Sequence, residues 1–250
     1  MRIALYGDSF GTGLGKASSL PTAWYNILAE KLGAELDNYS AQGTSVYYSY
    51  DKFLKTYHKG YDMVIFLVTE PNRYTKEVNL TSSPEIRFIP SLVVVESILN
   101  NSDFTAILAA TDIETLNHVR SWFIMSDEYF AATATGLMLA DVENKFPNVI
   151  FYPCFPNSLT TEQLEKDRIN PKYTMYDISV RSRELLGLSN ASFFREKDTI
   201  SAHLSHEFNA FVANVMYNRI CTGIWNWEGF DEIRPELDKY YYYEKIWTPN

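Results

Sequence analysis

Asp62-Met-Val-Ile-Phe-Leu-Val-Thr69 is a continuous apolar run closed at one end by an acid and at the other by a threonine. A strand with one wet face alternates polar and apolar side chains, whereas an unbroken run is the pattern of a strand covered on both faces. Outward from it, Arg2–Tyr6 and Asn148–Pro153 read as further short buried strands, and Glu35–Tyr39 as a weaker one. Between these lie stretches with apolar residues at helical spacing: Pro21–Leu32, Tyr47–Tyr57, Pro90–Lys145 (most strongly over Asp112–Phe130), Met175–Leu186 and Ser205–Ile220. Pro21 suits a first helical turn and Gly33 the position after the last. Strands alternating with helices imply right-handed crossovers, so the expected fold is α/β, a three-layer α/β/α sandwich around a mostly parallel sheet.

The chain has 250 residues, enough to bury a sizeable core. Its 31 acidic against 22 basic residues give a net charge of -9, which disfavours binding to nucleic acid or to an anionic membrane. Hydrophobic residues make up 46% and charged residues 21%, a globular balance that excludes wholesale disorder. Two cysteines, Cys154 and Cys221, supply neither a disulfide framework nor a cysteine-based zinc site. No apolar run approaches the roughly 20 residues of a membrane span. The first apolar stretch meets Gly7-Asp8 at once, leaving no room for a signal-peptide core, so the expectation is a soluble protein of the producing cell's cytoplasm. Residues 222–250 differ from the rest: Trp225, Trp227, Phe230, Tyr240–Tyr243 and Trp247 crowd a stretch with little periodicity. They read as an extension that packs back on a single domain spanning 1–221.

Chemistry concentrates after the first strand, in Gly7-Asp-Ser-Phe-Gly-Thr-Gly-Leu-Gly-Lys16. A phosphate loop would need a glycine at Phe10 and a Ser or Thr at Ala17. A dinucleotide fingerprint would need Gly-x-Gly-x-x-Gly, but Gly11, Gly13 and Gly15 alternate. The remaining reading makes Ser9 a nucleophile displayed at the carboxyl end of the sheet, against the plainer alternative of a serine that caps the following turn. A serine nucleophile needs a base. Of the four histidines, His58 lies in a polar turn and His118 within a helical stretch. His203 and His206 follow Asp198 in a late block, Asp198-Thr-Ile-Ser-Ala-His-Leu-Ser-His206, just before the last helix. His206 is an alternative base whose place in the first helical turn favours a structural role, and a metal held by His203 and His206 lacks a third ligand.

An early Gly-Asp-Ser followed by an aromatic, paired with a late His-Leu-Ser block, resembles the SGNH, or GDSL-type, hydrolases over roughly Met1–Ile220. The late block resembles in style that of virus-encoded relatives, and the resemblance implies a divergent virus- or bacterium-encoded member. The resemblance implies a flavodoxin-like sandwich and ester hydrolysis, with O-acetyl groups on a carbohydrate as a common substrate and no metal or organic cofactor. It implies Ser9 as nucleophile, His203 as base and Asp198 as the carboxylate that orients the imidazole. The family spacing is Asp-x-x-His, yet Ile200 stands three before His203 and Asp198 five before. The loop must bulge for Asp198 to reach, or Ser9 and His203 work as a dyad. The implied oxyanion donors are the N–H of Ser9, the N–H of Gly43, and an asparagine after the third strand. Glu70 occupies the asparagine's register and cannot donate while ionised, so Asn72, two residues on, takes that role. Gly43 can also be explained as a turn glycine, and Glu70 as half of an ion pair with Arg73. A rival from another class is a catalytically degenerate version of the fold, serving as a carbohydrate-binding or structural module. A nucleotide-binding flavodoxin-like protein ranks third.

Overall fold

The computed structural model of the chain describes residues 1–12, 23–41, 44–71, 74–80, 83–89, 128–156, 158, 172–185 and 204–234. The apolar run that opens the argument is β3, Met63–Val68, buried at every position. It lies at the centre with β1 (Arg2–Tyr6), flanked by β2 (Glu35–Asn38) and β6 (Val149–Pro153) in the order β2-β1-β3-β6. All three pairings are parallel, with Leu5 opposite Asn38, Tyr6 opposite Phe66, and Val68 opposite Pro153. Every carboxyl end therefore faces one edge. Chain order reverses around β1, which makes the crevice above β1 and β3 the place where folds of this kind bind ligands.

Strand side chains alternate between faces. Ile3, Leu5, Ile65 and Leu67 point to one helical layer, where α1 (Trp24–Leu32), α4 (Met175–Leu185) and α5 (His206–Thr222) supply Leu28, Ile178, Phe208 and Val212. Ala4, Tyr6, Val64, Phe66 and Val68 point to the other, where α2 (Val46–Thr56) and α3 (Glu128–Lys145) supply Phe53, Leu139 and Val142. The three-layer α/β/α sandwich is thus as the continuous runs require. Capping sets the helix ends. The Ser45 hydroxyl accepts from the Tyr48 N–H to start α2, and Ser205 accepts from Phe208 to start α5. Gly33 ends α1 in the left-handed region at φ 58°, a conformation glycine adopts without strain.

Three expectations need correction or completion. Helix α1 starts at Trp24 after an N-cap at Ala23, so Pro21 is not in its first turn and itself lies outside the described residues. The late helix ends at Thr222, past the expected Ile220. Two strands were not expected at all: β4 (Tyr74–Leu80) and β5 (Ser83–Ile89) pair antiparallel as a separate two-stranded sheet. Each finds its hydrogen-bonding partner in the other's backbone, with Tyr74 opposite Ile89 and Leu80 opposite Ser83. Of the long helical reading over Pro90–Lys145, only residues from Glu128 onward are described. After α5, the Phe230 ring is buried, stacks on Tyr173 with centroids 4.1 Å apart, and meets Phe208 edge-on at 5.8 Å. Trp225 lies 5.3 Å from Tyr152. Residues 235–250 lie outside the described residues.

Among the described residues no helix is long and apolar enough to cross a membrane. Several tyrosines are buried with their hydroxyls bonded: Tyr6 to Thr56 Oγ1 at 2.7 Å, Tyr61 to Asp37 Oδ2 at 2.7 Å, and Tyr152 to the Tyr173 carbonyl at 2.7 Å. Burial is the main reason all three phenols are held above the ordinary tyrosine range. The folded state therefore holds their protons more tightly than the unfolded chain. The stability they contribute is intact below about pH 10 and is lost as pH climbs beyond it. We expect a phenolate absorbance titration to show a group of tyrosines that ionises only with alkaline unfolding. Full, reversible ionisation near the ordinary value while the fold persists would contradict this.

Candidate active site

Gly7 follows the last residue of β1 and is buried against β3. A Cβ added there would sit 2.6 Å from the Leu67 Cβ, so only glycine permits this approach. A side chain at Gly11 would likewise press on Ser40, 2.8 Å from its Cβ. Between the two glycines the chain turns sharply. The Gly11 N–H donates to the Asp8 carbonyl at 3.0 Å, and the Phe10 N–H to Asp8 Oδ1 at 3.0 Å, an Asx-type turn. Asp8 is wholly buried, and its Oδ1 also lies 3.7 Å from Cys154 Sγ. Ser9, at the crest, is half-buried while Asp8 and Phe10 on either side are buried.

Loops from the neighbouring strands close on this turn. The Ala41 N–H and the Thr44 hydroxyl, both after β2, donate to the Gly7 carbonyl, each at 3.1 Å. Asn38 Nδ2 donates to the Gly11 carbonyl at 2.7 Å. After β6, the Cys154 N–H donates to the Val68 carbonyl at 2.8 Å, and the Phe155 ring meets Phe10 edge-on at 5.6 Å. The buried hydroxyls of Ser40 and Thr69 at this rim have no hydrogen-bond partner among the described residues.

A second set of bonds ties the turn to the far end of the chain. The Trp24 indole N–H donates to the Phe10 carbonyl at 2.8 Å, and the Trp24 backbone N–H donates to Asn209 Oδ1 at 2.8 Å. Asn209 Nδ2 donates in turn to the carbonyls of Leu204 at 2.9 Å and Ser205 at 3.0 Å. The Ser205 N–H donates to Ser182 Oγ on α4 at 2.9 Å. Trp24, Leu204, Ser205 and Asn209 are fully or almost fully buried.

Of the residues singled out from sequence, Ser9 is placed at the carboxyl edge of the sheet. His203, Asp198, Gly43 and Asn72 lie outside the described residues, as do Arg73 and His118. His58 is exposed in the short 3-10 turn after α2, and His206 is the exposed first residue of α5. Glu70 is half-buried two residues beyond β3. Sequence reasoning passed over Asn209 and Trp24. The signal for Asn209 is an amide inside an otherwise apolar helical face, a residue type seldom buried without partners. Among the described residues no group of His, Cys, Asp or Glu could hold a metal ion.

The turn, with a serine at its crest and the loops after β2 and β6 packed around it, defines a doubly wound α/β protein with a candidate site at the carboxyl edge of its sheet. No protein-family model matches the chain, and no curated relative emerges. Solved structures similar to it include a lipase/acylhydrolase from Enterococcus faecalis, at 12% identity and TM-score 0.37 over 88% of this chain and 94% of that one. A putative lipolytic protein of the G-D-S-L family from Desulfitobacterium hafniense is similar at 12% identity and TM-score 0.34, over 85% of this chain and 95% of that one. The acetyl xylan esterase AlAXEase is similar at 12% identity and TM-score 0.36, over 88% of this chain and 100% of that one.

Proposed function

We propose that the protein is a serine hydrolase of the SGNH, or GDSL-type, group, cleaving an ester and, within that class, O-acetyl groups on a carbohydrate. The observation that carries this reading is the setting of Ser9. Its side chain stands partly open at the carboxyl edge of a parallel sheet, on a turn whose neighbouring residues are buried and bonded. That setting suits a nucleophile, because the backbone is fixed while the hydroxyl stays reachable. Support for a base comes from the anchoring of Leu204 and Ser205, the residues directly after His203, through Asn209 to the same region.

In the proposed mechanism Ser9 Oγ attacks the acyl carbon while His203 takes its proton. Asp198 accepts the other ring N–H, holding the tautomer and stabilising the imidazolium. The N–H groups of Ser9 and Gly43 and the Asn72 amide donate to the developing oxyanion. His203 then protonates the leaving alcohol, and water repeats the sequence on the acyl-enzyme to release the acid. We assign residues 1–221 to the catalytic domain and 222–250 to an extension that packs on it, a division supported by the burial of Phe230.

A fluorophosphonate probe tests the core of the proposal. The expected result is one stoichiometric adduct that maps to Ser9. Labelling should rise with pH as the imidazole loses its proton, since only the neutral ring accepts one. An adduct elsewhere, or none, would remove the hydrolase reading. It would leave the degenerate, carbohydrate-binding reading, which the carboxylate of Glu70 favours because it stands in the register of an oxyanion donor.

A further inference from the structure

The bonds around Trp24 and Asn209 form a continuous buried chain: Phe10 carbonyl, Trp24 indole, Trp24 backbone N–H, Asn209 amide, Leu204 and Ser205 carbonyls. One end holds the residue after Ser9 and the other the residue after His203. Trp24 and Asn209 lie 185 residues apart, so the contact is purely tertiary. Helix packing alone already brings α1 against α5. The amide adds directional bonds that fix the entry of α5 at a point apolar contact leaves free to slide.

We infer that Trp24 and Asn209 are positioning residues that fix the Ser9 turn relative to the entry of α5 at Leu204 and Ser205. This rests on the hydrolase reading above. Both side chains act through the backbone and touch no reacting atom. Asn209 is suited to the task because its amide both accepts and donates, gripping an N–H and two carbonyls at once. Aspartate is nearly isosteric but keeps only the accepting half. Phenylalanine at 24 preserves most of the ring volume and removes only the indole N–H.

The test is the rate of fluorophosphonate labelling at Ser9, measured well below the melting temperature on wild type, Trp24→Phe, Asn209→Asp, the double variant and Phe53→Leu. Phe53 belongs to the opposite layer, so its variant lowers stability without touching the chain of bonds. An error of about 1 Å in a reacting pair costs on the order of 100-fold, so each bridge variant should label at least about tenfold more slowly. The double variant should be no slower than the slower single one, because both cut the same link. Phe53→Leu should label at the wild-type rate despite its lower melting temperature. Wild-type rates in Trp24→Phe and Asn209→Asp, or multiplied losses in the double variant, would overturn the inference while leaving the hydrolase reading intact. Should Asn209→Asp not fold, Trp24→Phe against Phe53→Leu decides the matter alone. A wild-type protein that takes no label at Ser9 brings down the hydrolase reading and the inference with it.

Discussion

Ser9→Ala should fold and melt like the wild type yet hydrolyse a simple acetyl ester at least about 10⁴-fold more slowly, and His203→Ala should lose as much. The stability half of this expectation follows from the site: Ser9 is only half-buried. Substitutions at such positions stay within about 0.5 kcal/mol. The activity half follows from the chemistry, since nucleophile and base act as a unit and removing either leaves only binding and oxyanion stabilisation. Steady-state rates and a thermal melt on the same preparations check both halves. Undiminished hydrolysis by Ser9→Ala would show that the turn is scaffolding and that any ester cleavage arises elsewhere.

Gly7→Ala should be far more damaging than its single methyl suggests. The new Cβ meets the Leu67 Cβ at 2.6 Å, and that atom is fixed to the backbone of β3, so relief requires β1 and β3 to move apart. Overpacking of this kind costs about 1–3 kcal/mol. At roughly 2–4 °C per kcal/mol for a chain this size, the melting temperature should fall by several degrees to about 10 °C. The same shift loosens the bonds from Ala41 and Thr44 to the Gly7 carbonyl and carries Ser9 with it, so activity should drop by more than the loss of stability explains. Gly33→Ala is the matched control. Nothing lies within 4 Å of its added Cβ, so only the left-handed strain at φ 58° is incurred, about 1 kcal/mol, and the rate per folded molecule should not change. Equal effects at Gly7 and Gly33 would show that the approach to Leu67 exerts no special constraint.

The layers were readable from residue order because a strand between two helical layers must be apolar on both faces. Met63–Val68 has that composition without needing a partner to reveal it. Helix ends were readable where a side chain does the capping, as at Ser205, or where glycine takes the left-handed position, as at Gly33. At α1 the start was misplaced because its N-cap, Ala23, makes no side-chain bond and so leaves no mark in the sequence. The hairpin of β4 and β5 escaped notice for a related reason: its pairing is satisfied by backbone groups, which every residue carries alike.

The turn that carries the candidate serine could be read from local pattern, since Gly-Asp-Ser after a buried strand describes its own turn. What surrounds that turn could not. Nothing in the order of residues near Phe10 announces that its carbonyl is held by Trp24, or that Trp24 is held by Asn209. Periodicity reports burial, which is a property of one position. A directional bond is a property of two positions, and it exists only once packing has brought them within about 3 Å in the right orientation. Strand, helix and candidate serine are therefore matters of sequence, whereas the grip that links the two ends of the chain at the sheet's carboxyl edge belongs to the folded molecule alone.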